Sequence, residues 1–178
     1  QTTTRSRRHQ RVVVARAGAY DRLRFEACDP LEPGPSEVVI DVEAIGVNYA
    51  DCMVRMGLYE SAKGFVGWPV TPGFEVAGVV RAKGADVDEL EVGAPVFAVT
   101  LFNGYATQVK VDQRYAFRIP RGVSVAEAAG FPSVFVTAWF ALHELAHPRP
   151  GQKLLIHSAA GGVGGCLVQL AKRADCEV

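Results

Sequence analysis

Close to the end of the chain, Lys153-Leu154-Leu155-Ile156-His157 runs straight into Ser158-Ala159-Ala160-Gly161-Gly162-Val163-Gly164-Gly165. The apolar run is short enough for a strand buried on both faces of a parallel sheet. The small residues from Ser158 to Gly162 let the backbone turn sharply. Val163, Leu167, Leu170, Ala171 and Ala174 then recur at helical spacing and press a helix onto that sheet. Cys176-Glu177-Val178 reads as the opening of a second strand.

A strand, a glycine turn and a helix in that order suit a dinucleotide. The pyrophosphate charge would sit on free N–H groups at the helix N-terminus, so Ala159, Ala160, Gly161, Gly162, Val163 and Gly164 are the candidate cofactor loop. Ala159 stands where G-x-G-x-x-G has its first glycine, and the residue that reads the adenosine ribose would lie beyond the second strand. The bland reading, a helix-entry loop with no ligand, is disfavoured by the flanking strand and amphipathic helix.

Lys plus Arg and Asp plus Glu both number 19, and 49% of residues are apolar. Such a chain is globular and carries no field that favours nucleic acid or an anionic membrane. No apolar run approaches the roughly 20 residues of a membrane helix, so no stable membrane insertion and a cytoplasmic location are expected. Cys28, Cys52, Cys166 and Cys176 are scattered and read as reduced thiols. Residues 1–10 are basic without apolar periodicity and read as a mobile tail.

From Arg11 to about Pro120 the pattern is short strands between Gly, Pro and Asp turns: Val12 to Arg16, Leu23 to Glu26, Glu37 to Ile45, Glu75 to Ala82, Pro95 to Thr100, Tyr105 to Val111 and Tyr115 to Ile119. This argues for a partly closed β-barrel, interrupted by one helix at Tyr49 to Met56. Helices are expected at Ala126 to Gly130 and Val134 to Leu145, before Pro148-Arg149-Pro150-Gly151 breaks the chain. The expected plan is a tail (1–10), a β domain (11–124), connecting helices (125–150) and the first β-α unit of an incomplete α/β domain (151–178).

Ala44-Ile45-Gly46-Val47-Asn48-Tyr49-Ala50-Asp51, Arg55-Met56-Gly57-Leu58-Tyr59 and Pro72-Gly73-Phe74-Glu75-Val76-Ala77-Gly78-Val79-Val80 follow one another in an informative order. With Val136-Thr137-Ala138-Trp139 and the glycine turn, they resemble the medium-chain dehydrogenase/reductase superfamily. The likeness is greatest to its zinc-free quinone oxidoreductase branch and the relatives of the synaptic vesicle amine transport protein. The resemblance implies a GroES-like β-barrel catalytic domain followed by the start of a Rossmann-type parallel α/β domain, with the active site in the cleft between them. It also implies that about 100–150 further residues would complete the Rossmann sheet and return to the barrel, so a truncated or proteolysed chain is expected.

Zinc enzymes of that superfamily place Cys where this chain has Asn48 and His where it has Phe74. An amide binds zinc poorly and a phenyl ring does not bind it, so no metal is expected. His143-Glu144-Leu145-Ala146-His147 matches the H-E-x-x-H zinc motif, yet Pro148 and Pro150 end the helix there and chance is the better account.

Without zinc, the resemblance implies hydride transfer to quinones or α,β-unsaturated carbonyls, whose charge spreads onto an oxygen that a hydrogen-bond donor can stabilise. Tyr59 is the candidate donor, against the plainer reading of an interfacial aromatic. Met53 replaces a second tyrosine of some bacterial relatives. Asn48 would contact the nicotinamide ribose or the substrate, and Asp51 would orient a neighbour or cap its helix. Thr137 would lie near the carboxamide or fill a core position, and Glu75 would pair with a basic group. The cofactor implied is NADPH, with NADH equally compatible with these residues, and a homodimer is one expected arrangement of the full-length protein. Two other functions remain open: an enoyl-thioester reductase domain of a larger synthase, and a nucleotide-binding, vesicle-associated adaptor with little turnover.

Overall fold

The computed structural model describes residues 9–178, and the chain forms two compact units divided between Gly130 and Phe131. The first unit opens with β1 (His9–Val14) and β2 (Leu23–Cys28), an antiparallel ribbon. β3 (Glu37–Ile45), β4 (Glu75–Lys83), β5 (Pro95–Val99), β6 (Gln108–Asp112) and β7 (Ala116–Arg118) form a five-stranded antiparallel sheet in the order β6-β3-β4-β5-β7. Bridges from Arg11 to Ala106 and from Val14 to Val70 attach the ribbon to the segments around that sheet. The result is a curled half-barrel, the partly closed barrel that the strand spacing implies and the form that the family resemblance implies for its GroES-like domain.

β1 begins at His9, so residues 9 and 10 belong to the ribbon rather than to a tail. His9 pairs with Cys28, is buried, and places Nδ1 3.3 Å from Thr107 Oγ1. Residues 1–8, the remainder of the expected tail, lie outside the described residues.

The barrel core gathers Val38, Ile40, Val76, Val80, Val96, Ala98 and Val109. β3 and β4 approach closely: a Cβ on Gly78 would stand 2.0 Å from Asp41 O, between the two register shifts of this pair. α1 (Tyr49–Arg55) and α2 (Glu60–Phe65) interrupt the strands. α2 had no expectation in the sequence, because Gly64 and Lys63 leave it little apolar periodicity. α3 (Val125–Ala129) packs Ala128 and Ala129 on Ala77, so this helix is part of the barrel unit and not of a connector.

In the second unit, α4 (Pro132–Trp139) continues into a wider helical turn over Phe140–Ala146, which ends at His147 in the left-handed region at φ 44°. α5 (Gly162–Arg173) packs Leu167, Leu170 and Ala171 with Leu142, Leu154, Ile156 and Cys176. Of the two expected strands, a single parallel bridge forms, Lys153 to Glu177, with Leu154 N–H donating to Glu177 O and Glu177 N–H to Gln152 O. Strand alternation turns Leu155 away from Leu154 and Ile156, and it is 86% exposed.

Candidate functional site

α1 starts where its sequence demands. Asn48 at the N-cap and Asp51 at the third helical position form a capping box, in which Asn48 N–H donates to Asp51 Oδ2 at 2.8 Å. The helix stops at Met56: Gly57, at φ 73°, donates to Val54 O and Leu58 N–H to Met53 O, the two bonds of a Schellman motif. That stop delivers Leu58 and Tyr59 immediately after the helix, with Tyr59 as N-cap of α2.

The Tyr59 ring rests against Phe74 and Phe102, with centroids 5.6 Å and 6.5 Å away, and Phe74 and Phe102 are themselves 5.3 Å apart. Beside Tyr59 lies a cavity of about 150 Å³ also lined by Val54, Ala62, Trp68 and Val70. The Tyr59 hydroxyl has no hydrogen-bond partner among the described residues.

A polar cluster stands next to these rings. Asn48 Nδ2 donates to Glu75 Oε1 at 2.7 Å, and Glu75 is 1% exposed. Glu75, expected to meet a basic group, takes an amide donor from Asn48, the N-cap of α1. Gly46 makes room for the pair, because a Cβ there would stand 2.2 Å from Glu75 Oε1 and 2.4 Å from Ala129 O. Asp51 is also buried and accepts three donors: Asn48 N–H, Tyr105 O–H at 3.1 Å on Oδ2, and Gly73 N–H at 3.0 Å on Oδ1. Burial pushes the Asp51 carboxyl above its ordinary value, the three donors oppose the rise, and the nearby Glu75 charge adds to it. Burial and the Asp51 charge push the Tyr105 phenol up as well.

Tyr105 is the residue the sequence reading passed over. Its only signal was a Tyr inside Asn103-Gly104-Tyr105, which looks like any turn before a strand.

The second unit holds the glycine turn. Ser158 takes the left-handed region at φ 53°, Gly161 N–H donates to Ser158 O at 2.9 Å, and Gly161 is the N-cap of α5. Gly162 lets α5 approach α4, since a Cβ would meet Val134 Cγ1 at 2.8 Å. Gly164 lets the first helical turn lie on Ser158 O, which a Cβ would meet at 2.2 Å. The N–H groups of Gly162, Val163 and Gly164 fall in the first turn, which has no carbonyl of its own helix to bind. Thr137 is exposed on α4 and donates to Ser133 O at 2.7 Å, so it is not the core residue its β-branch suggested. Its exposure follows from α4 burying Pro132 and Ala138 instead.

His143 lies in the wide turn with its ring 5.3 Å from Trp139, while His147 has already left the helix. The i, i+4 helical pair that H-E-x-x-H requires is therefore not formed. Among the described residues no three His, Cys, Asp or Glu side chains are grouped as a metal site.

Residues 34–145 match the model of the alcohol dehydrogenase GroES-like domain. The chain belongs to this family. Within the medium-chain dehydrogenase/reductase superfamily it falls on the quinone oxidoreductase branch with the VAT-1 homologues. The human synaptic vesicle membrane protein VAT-1 homolog-like protein is 38% identical with a TM-score of 0.87, over 94% of this chain and 54% of that one. The CurK enoyl reductase is 32% identical with a TM-score of 0.89, over 95% and 52%. The Escherichia coli quinone oxidoreductase, solved with NADPH, is 27% identical with a TM-score of 0.84, over 94% and 50%. The chain spans between 4% and 42% of the length of the curated relatives it matches, which include polyketide synthases and VAT-1 homologues. No helix among the described residues is long and apolar enough to cross a membrane.

Proposed function

We propose that the protein is an NADPH-dependent, zinc-independent oxidoreductase that reduces quinones or α,β-unsaturated carbonyls. The observation that carries this reading is the turn into α5, where Ser158 is left-handed and Gly164 leaves no side chain between the turn and the first helical N–H groups. Those N–H groups fit a pyrophosphate, with Ala159, Ala160, Gly161, Gly162, Val163 and Gly164 as the residues that would hold it. When bound, the dinucleotide supplies a hydride. Thr137, whose hydroxyl proton is committed to Ser133, keeps an acceptor oxygen for a carboxamide N–H.

Tyr59 lines an apolar cavity and its hydroxyl has no partner among the described residues, which suits donation to a substrate carbonyl or quinone oxygen and delivery of its proton. Asn48 keeps one amide N–H beyond the bond to Glu75 for a ligand oxygen. Asp51, saturated by three donors, holds the position of Asn48. Phe74 supports the zinc-independent reading, because its ring packs on Tyr59 and offers no ligand atom.

A second reading, an enoyl-thioester reductase within a larger synthase, is favoured by the likeness to the CurK enoyl reductase and by the polyketide synthases among the relatives. One assay separates the readings: steady-state NADPH oxidation by the full-length protein with quinones, simple enones and enoyl thioesters, wild type beside Tyr59→Phe. The expected result is turnover of quinones or enones, falling about 100-fold in Tyr59→Phe. Turnover confined to thioesters selects the second reading. Tight NADPH binding without oxidation by any acceptor rejects both and leaves a nucleotide-binding adaptor. Stoichiometric zinc in the same sample would overturn the zinc-independent mechanism.

A further inference from the structure

Asp51 is a buried carboxylate whose three donors come from three separate segments, the residue before α1, the loop before β4 and the turn before β6. Two of those segments carry the proposed site. One ends in Asn48, and the other runs from Gly73 into Phe74, whose ring supports Tyr59. The third segment supplies Tyr105, which does not line the cavity beside Tyr59. We propose that Tyr105 is a positioning residue: by bonding Asp51 Oδ2 it holds the carboxylate that clamps Asn48 and Gly73–Phe74 in register, and so sets the Asn48 amide and the Tyr59 ring. This deepens the reductase reading and rests on it for its catalytic consequence, while the clamp itself is a property of the fold.

The geometry makes Tyr105 a dedicated donor. Its main chain is already held, with Tyr105 N–H donating to Pro72 O at 2.9 Å and its carbonyl accepting from Val12 N–H at 2.8 Å. The phenol is therefore not needed to keep the segment in place. Its hydroxyl shares Asp51 Oδ2 with Asn48 N–H, so the two bonds fix the carboxylate plane, and Oδ1 is then aimed at Gly73 N–H. Removing the hydroxyl leaves a buried charged oxygen with one donor fewer, which favours rotation of the carboxylate and loosens both clamped segments. Small displacements of groups that act at a reacting centre cost rate more than binding.

The test is Tyr105→Phe in the full-length protein, with Asp51→Asn and the double variant. Hydrogen exchange is read at the Asn48–Asp51 and Gly73 amides, and kcat and KM are read for NADPH oxidation. The expected results are exchange at those amides about 10-fold faster, kcat about 10-fold lower and KM for NADPH within about 2-fold of wild type. On the Asp51→Asn background, Tyr105→Phe should change kcat much less than on wild type, because the two act as one unit. Unchanged exchange and kcat in Tyr105→Phe overturn the proposal. An equal loss on both backgrounds overturns the route through Asp51. If the wild type does not oxidise NADPH, the reductase reading falls, and the exchange data alone still decide for or against the clamp. Should Tyr105→Phe fold poorly, Asp51→Asn, which retains an acceptor oxygen, reads the same amides from the other end of the bond.

Discussion

Asn48 Nδ2 donates to Glu75 Oε1 at 2.7 Å, joining the N-cap of α1 to the first residue of β4 across 27 positions of sequence. The bond ties the start of α1 to a carboxylate that water does not reach. Hydrogen bonds to buried charges stabilise more than neutral ones, so Asn48→Ala should cost about 2 kcal/mol in urea unfolding. Asn48→Asp should cost more, because it sets a second carboxylate against Glu75. An Asn48→Ala protein with wild-type stability would show that the pair holds nothing.

Gly73 stands at φ 106°, and a Cβ there would meet Tyr105 N at 2.6 Å and Gly104 Cα at 2.7 Å. Both obstacles are backbone and cannot rotate away. Gly73→Ala is expected to lower stability by at least about 2 kcal/mol and to speed exchange of the amides near Asp51.

Asp51 gives a pH dependence whose sign follows from its raised carboxyl value. The native state holds the proton more tightly than the unfolded chain, whose ordinary value is 3.8, so this group's contribution is full below that value and is lost as pH rises through the native one. Measured by urea unfolding from about pH 4 to about pH 7, the stability of wild type relative to Asp51→Asn should fall as pH increases. A relative stability that rises over that window would mean that the three donors outweigh burial.

Leu155 and Ile40 are both aliphatic and both sit in extended segments, yet Leu155 is 86% exposed and Ile40 fully buried. In the 178-residue chain, Leu155→Ser should change stability by no more than about 0.5 kcal/mol. Ile40→Ala should cost about 2–5 kcal/mol through lost burial and the cavity left in the barrel core. Thermal or urea unfolding of both variants checks the contrast, and a Leu155→Ser loss comparable to that of Ile40→Ala would show the exposed face to be covered in solution.

Much of the fold was legible residue by residue. Glu37 to Ile45 alternates and clusters β-branched residues between turn signals, and it is a strand over those same residues. Asn48 and Asp51 are spaced as a capping box, and α1 begins there. Local rules sufficed because each of these features is settled within a few residues. The site was less legible: Tyr59, Asn48 and Asp51 could be named, but the network that joins them through Tyr105 could not.

The sequence by itself determined the strands of the barrel, the capping box of α1, the glycine turn and the absence of ligand atoms at Phe74, all of which depend on local spacing and side-chain chemistry. Only the tertiary structure decided that Asn48 spends an amide proton on Glu75 and that Asp51 is satisfied by Gly73 and Tyr105. These outcomes depend on which distant backbones are brought within hydrogen-bond reach. Tyr105 lies 54 residues from Asp51, and only closure of the strands around the half-barrel brings the phenol to the carboxylate.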